Sequence, residues 1–202
     1  HYTGMKSMED ALERLVDKKS KVSAHYLIDE TGFVYKMVPE DKRAWHAGVS
    51  SWRGNTNINT RSIGIELVNP GHDFGYRNFP SLQMNSLTNL AKKILRRYPI
   101  PARNIIGHSD VAPSRKIDPG ELFDWKGLAS KGIGIWPEKF DEWAHANMDV
   151  EDCLKRIGYD TTDIKSAVCA FQRHFRAAEI TGKIDNQTKI RIFVLCKELN
   201  EL

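Results

Sequence analysis

Cysteine is scarce in this chain: Cys153, Cys169 and Cys196 are the three it has, and no two stand in a Cys-x-x-Cys spacing. That absence removes the usual thiolate zinc cluster and the dithiol redox centre. Each cysteine falls in an apolar helical pattern, which fits packed thiols and leaves one disulfide open in an oxidising compartment. Long apolar runs are missing too, so no segment is expected to span a bilayer. Charge of one sign is also lacking, with 30 basic against 26 acidic residues interspersed along the chain for a net +4. Such a distribution argues against dedicated nucleic-acid binding, although the small positive excess favours approach to an anionic polymer. No signal peptide precedes His1; the expectation is that upstream residues, with any export or lipidation signal, have been removed or left out.

The 202 residues, 41% of them hydrophobic, suffice for one full domain or for a larger and a smaller one. Ser7 reads as an N-cap with Asp10 three residues on, and Met8, Ala11, Leu12, Leu15 and Val16 follow at helical spacing. Ser23 to Asp29 and Phe33 to Val38, joined at Glu30-Thr31-Gly32, read as a hairpin. A loop rich in polar residues, glycine and tryptophan comes next, then the β-rich run Ser62 to Val68 with Glu66 inside it. Leu82 to Tyr98 is a long amphipathic helix stopped by Pro99, and Arg103 to Gly107 reads as another short strand. Helices interleaved with strands predict an α/β fold, a mixed central sheet flanked by helices with the active groups at strand ends.

Composition shifts from Gly127 to Pro137, Glu138 to Asn147 is helical, and a purely helical tail begins near Met148. The expected domains are therefore residues 1–147 and a three-helix domain, 148–202, with helices over Val150 to Ile157, Ile164 to Ala178 and Asn186 to Leu199. Val168, Phe171, Phe175, Ile192 and Leu195 would form its small shared core. So short a bundle is marginal alone, which predicts packing against the first domain.

The stretch Gly107-His108-Ser109-Asp110-Val111-Ala112-Pro113-Ser114-Arg115-Lys116-Ile117-Asp118-Pro119-Gly120 sets an imidazole, an ammonium and a carboxylate on one loop. Imidazole nitrogen and carboxylate oxygen are both good Zn²⁺ ligands, and a catalytic zinc takes three protein ligands with a fourth position for water or substrate. His1 is a candidate for the third. Read from the residues alone, His108 can equally cap a strand and Asp118 begin a turn before Pro119.

Five ordered segments resemble the zinc-dependent N-acetylmuramoyl-L-alanine amidases of the type-2 amidase and peptidoglycan-recognition fold. They are His1-Tyr2-Thr3, Ser23-Ala24-His25-Tyr26-Leu27-Ile28, Ala44-Trp45-His46-Ala47-Gly48, Ser62-Ile63-Gly64-Ile65-Glu66-Leu67-Val68-Asn69 and the Gly107 to Gly120 loop. The resemblance covers His1 to about Asn147 and is greatest to periplasmic or lipoprotein amidases of Gram-negative bacteria. The tail resembles a three-helix peptidoglycan-binding domain through Ala170-Phe171-Gln172 and Thr181-Gly182-Lys183-Ile184-Asp185-Asn186-Gln187-Thr188.

The resemblance implies one Zn²⁺ held by His1, His108 and Asp118, Glu66 as catalytic carboxylate and Lys116 as catalytic ammonium. It implies a peptidoglycan or muropeptide substrate, a monomer, and a place in the bacterial envelope, in the periplasm or attached to the outer membrane. Each role has a plainer alternative: Glu66 in a structural ion pair, Lys116 as a surface lysine. Tyr26 and His46 match family positions near the site, while Trp52, Arg53, Asn55 and Asn57 fall in a loop able to line a sugar-peptide groove. His25, His72, His145 and His174 read as structural or surface residues. The rival functions are a non-catalytic peptidoglycan-binding protein and, through an amino-terminal histidine, a copper oxidase of polysaccharides; the Lys-x-Asp loop speaks against the second.

Overall fold

In chain order the elements are α1 (Met8–Val16), β1 (Tyr26–Ile28), β2 (Val34–Lys36), β3 (Ser51–Trp52), β4 (Asn55–Thr56), β5 (Ile65–Leu67), α2 (Gly71–Phe74), α3 (Ser81–Arg97), α4 (His108–Val111), α5 (Trp125–Ala129), α6 (Val150–Ile157), α7 (Ile164–Phe175) and α8 (Asn186–Asn200). This computed structural model describes residues 1–137 and 149–200, without the side chain of Asn200. The helix expected over Glu138 to Asn147, His145 within it and the boundary near Met148 lie outside the described residues. The chain forms two compact units, residues 1–50 with 57–99, and residues 51–56 with 100–202.

The first unit is built on a mixed sheet of order β2-β1-β5. β2 runs antiparallel to β1 and β5 parallel to it, with Tyr26 opposite Ile65, Leu27 opposite Glu66 and Ile28 opposite Leu67. His1 to Thr3 adds a further rung beside β5, where the His1 nitrogen donates to Ile65 O, Leu67 N to His1 O and Thr3 N to Leu67 O, each at 3.0 Å. Side chains alternate along a strand, so this register sends Glu66 and Leu27 to one face and Tyr26 and Ile28 to the other. α3 packs on β1, and its buried Gln83 donates to the carbonyls of Ile28 and Val68 at 2.9 and 3.0 Å. Ser7 caps α1, its hydroxyl accepting from Asp10 N at 3.1 Å.

The second unit joins the β3–β4 hairpin to the C-terminal helices. Arg53 and Gly54 at its tip have φ of 52° and 72°, the paired positive values of a type I′ turn. Asp149 and Asp163 cap α6 and α7 through their carboxylates. Leu154, Val168, Phe171, Ile192 and Leu195 are fully buried, and each apolar side chain so enclosed contributes about 1.5–3 kcal/mol. The three cysteines are free thiols; burial, then Cys196 beside it, pushes the Cys153 thiol up to about 12.

Two expectations are corrected here. Arg103 to Gly107 is not a strand: after Pro101 the chain winds into a 3₁₀ turn, Ala102–Asn104, with Asn104 N bonded to Pro101 O at 2.8 Å and Ile105 N to Ala102 O at 3.1 Å. Those bonds turn the backbone inward and leave no ladder for a neighbouring strand. His108 accordingly opens the short helix α4 instead of ending a strand.

Candidate active site

In the first unit the site is built on Glu66, in the middle of β5 and 8% exposed. Its backbone stands in the ladder between β1 and the His1 segment, which sets the face on which the carboxylate lies. His1 Nδ1 lies 4.0 Å from Glu66 Oε1, and His1 Nε2 lies 3.2 Å from Nδ1 of buried His46. Around His46, Asn59 Oδ1 accepts from the backbone nitrogens of His46 and Ala47 at 3.0 and 2.7 Å, Ser62 Oγ stands 3.5 Å from Nε2, and Gly64 comes so near the ring that a methyl group there would fall 2.4 Å from Cγ. His25, expected to be structural, is so. Its Nδ1 accepts from Gly64 N and its Nε2 donates to Lys42 O, both at 3.0 Å, which fixes the tautomer.

In the second unit His108 and Asp118 are both buried, with His108 Nδ1 and Asp118 Oδ2 3.1 Å apart. Sequence-distant by one short loop, they are drawn together by the backbone: Ser109 N donates to Asp118 O at 2.9 Å, and Arg115 N and Lys116 N both donate to Ala112 O. The Asp118–Pro119 peptide is cis. Zinc bonds of about 2.0–2.2 Å in tetrahedral array place two ligand atoms roughly 3.4 Å apart, so this pair of unlike donors suits one ion. Lys116 is half-buried on the same loop, and its ammonium has no hydrogen bond or ion pair among the described residues. Arg115 Nη2 stands 3.4 Å from His108 Nε2.

The remaining candidates have other surroundings. Tyr26 points to the α3 face of the sheet, away from Glu66, and its hydroxyl donates to Glu40 Oε1 at 2.5 Å, with Arg97 on the same carboxylate. Burial and then Glu40 push the Tyr26 hydroxyl up to about 12. Trp52 is buried, donates from Nε1 to Asn104 Oδ1 at 3.2 Å and meets Tyr159 edge-on at 5.2 Å. Arg53 N donates to Gly158 O at 2.8 Å, and exposed Asn55 bonds back to Arg53 O at 3.1 Å. The hairpin expected to line a groove is thus anchored on the turn after α6 by Trp52 and Arg53. Asn57, at φ 56°, begins the 3₁₀ turn Ile58–Thr60.

The structure therefore gathers His1, His46 and Glu66 in one unit, and His108 and Asp118, with Lys116 on their loop, in the other. Asn59 and Gly64 went unread in the sequence. An isolated glycine inside a β-rich run is itself a sign of close backbone approach, so Gly64 carried a usable signal; Asn59, one polar residue among many in its loop, carried none.

Known proteins resemble this chain in sequence and in structure. The family model described as N-acetylmuramoyl-L-alanine amidase matches residues 1–121. N-acetylmuramoyl-L-alanine amidase AmiD of Escherichia coli is 37% identical over 217 residues, covering 94% of this chain and 78% of that protein. 1,6-anhydro-N-acetylmuramyl-L-alanine amidase AmpD of Citrobacter freundii is 48% identical over 106 residues, 52% of this chain and 54% of that one. The structure of Escherichia coli AmiD in complex with the substrate anhydro-N-acetylmuramic acid-L-Ala-D-gamma-Glu-L-Lys superimposes with a TM-score of 0.87 at 36% identity, over 98% of this chain and 87% of that one. With more than half its length inside the family model and a relative this similar over nearly all of it, the chain belongs to the N-acetylmuramoyl-L-alanine amidase family.

Proposed function

We propose that this chain hydrolyses the amide bond between the lactyl group of N-acetylmuramic acid, or its 1,6-anhydro form, and L-alanine of the peptidoglycan stem peptide. His1, His108 and Asp118 hold one zinc ion, Glu66 is the catalytic carboxylate and Lys116 the catalytic ammonium. The observation that carries this reading is the buried pair His108 Nδ1 and Asp118 Oδ2, 3.1 Å apart, inside the segment the family shares. When bound, zinc supplies a Lewis acid that polarises the amide carbonyl and acidifies water. Glu66, fixed by its strand, takes the proton of the attacking water and returns it to the departing amine of L-alanine. Lys116 turns its uncommitted ammonium to the oxygen that gains charge in the transition state. His46, beside His1, lines the substrate side, and Trp52, Arg53 and Asn55 line it from their hairpin; Tyr26 stands in the α3 packing.

Residues 1–147 are read as the catalytic domain and 148–202 as a peptidoglycan-binding-like module, and the enzyme works in the bacterial envelope, where its substrate is. Among the described residues no helix is long and apolar enough to cross a membrane. Zinc content measured together with the activity of Glu66→Ala tests the reading. The parent and the variant should each hold one zinc per chain, with turnover of the variant down by about 10²–10⁴-fold. A fully active variant would remove Glu66 from the mechanism, and a zinc-loaded parent that binds muropeptides without cutting them would make this a recognition protein instead.

A further inference from the structure

Asp110 stands two residues beyond His108 in α4, and none of it reaches solvent. A carboxylate buried so completely is costly unless its lone pairs are met. Here they are met from three directions. Asp110 Oδ2 accepts from Gly107 N at 2.7 Å and from His174 Nδ1 at 2.8 Å, and Oδ1 accepts from the Tyr159 hydroxyl at 2.7 Å. Gly107 is local, but Tyr159 follows α6 and His174 lies on α7. Neither falls in the segments that resemble a wall-binding module.

The donors are themselves fixed. The His174 ring is stacked between Trp125, with centroids 3.9 Å apart, and Phe175, at 4.0 Å. Tyr159 is 3% exposed and meets Trp52 and Phe171 edge-on. On the other side of Asp110 the start of α4 presses on the far arm of the ligand loop: a methyl group on Gly107 would come 2.7 Å from Pro119 Cδ, next to Asp118, and 3.3 Å from Trp125. Whatever holds Asp110 therefore sets where His108 sits with respect to Asp118.

We propose that Tyr159 and His174 are positioning residues for the zinc-ligand loop, acting through Asp110, so that the C-terminal helices support the metal centre as well as any contact with the wall. The inference rests on the zinc reading above. It is tested by the zinc dissociation constant, measured by competition with a chromogenic chelator, for the full chain and for Tyr159→Phe, His174→Leu and His174→Asn. Melting temperatures of the metal-free proteins and kcat and KM of the zinc-saturated ones accompany it.

Tyr159→Phe and His174→Leu should each raise the dissociation constant about ten-fold, with KM for a defined muropeptide unchanged. His174→Asn, whose amide nitrogen donates near the place of Nδ1, should recover most of the loss. If His174→Leu does not fold, Tyr159→Phe, which lacks a single hydroxyl, decides. Variants that melt lower yet bind zinc as tightly as the parent overturn the proposal and leave Tyr159 and His174 as packing residues. A parent chain that binds no zinc overturns the functional reading itself, an outcome distinct from the first.

Discussion

A methyl group added at Gly64 would come 2.4 Å from Cγ of the His46 ring, so either the ring or β5 must shift. Both flank Glu66. Gly64→Ala should cost about 1–3 kcal/mol in a urea denaturation experiment, the range for overpacking a filled interior, and should lower kcat as well. Full activity at full stability would show that the His46 ring yields freely. For Lys116 the expectation is different, since it meets charge that exists mainly in the transition state. Lys116→Ala should lower kcat about 10²–10³-fold with little change in KM, read from steady-state kinetics on a soluble muropeptide. A raised KM at constant kcat would make it a binding residue. That His108 and Asp118 lie close together, with Lys116 on their loop, was foreshadowed by their spacing within one short stretch. Tyr26 was not placed by its sequence: alternation predicts two faces for β1, but only the register with β5 says which face Glu66 shares.

At the scale of elements, the helices with an apolar stripe of two turns or more were readable: α1 behind its cap Ser7, α3 up to Pro99, and α6 to α8. Helices of four or five residues were not, because α4 and α5 are shorter than the window in which a helical period shows itself. The same limit made a strand of Arg103 to Gly107, where apolar residues sit in a turn set by Pro101. In the C-terminal helices, the connection into α8 is tied by Arg176 Nη1, which donates to both carboxylate oxygens of Asp185, at 2.7 and 2.6 Å, and to Thr188 Oγ1 at 2.8 Å. The Arg176 guanidinium, with the Thr188 backbone amide, holds the Asp185 carboxyl at about 2, below its ordinary 3.8. Because the folded value is the lower one, the stabilisation is complete above the ordinary value and is lost as pH falls through about 2. The Asp185 side chain is 38% exposed, so the effect is modest. Asp185→Asn should melt below the parent near neutral pH, and the gap should close between about pH 4 and pH 2. A gap that is the same at all pH values would assign the loss to packing.

For the whole molecule, the mixed α/β architecture followed from the order of helices and strands. The association of residues 51–56 with the C-terminal helices was not legible, because it rests on contacts such as Trp52 with Tyr159 and Arg53 with Gly158, which no local pattern announces. Family membership was more readable than packing in this respect: the residue types of a shared motif persist in a sequence, whereas packing partners far along the chain leave no mark. The function proposed for this chain is that of a single-zinc amidase. Mass spectrometry of defined muropeptides, with and without the 1,6-anhydro ring, incubated with zinc-loaded and with chelated protein, tests it most directly. Zinc-loaded protein should release the intact stem peptide with a free L-alanine amine, chelation should stop the release, and added zinc should restore it. Release that continues without metal, or none from protein carrying one zinc per chain, would contradict it.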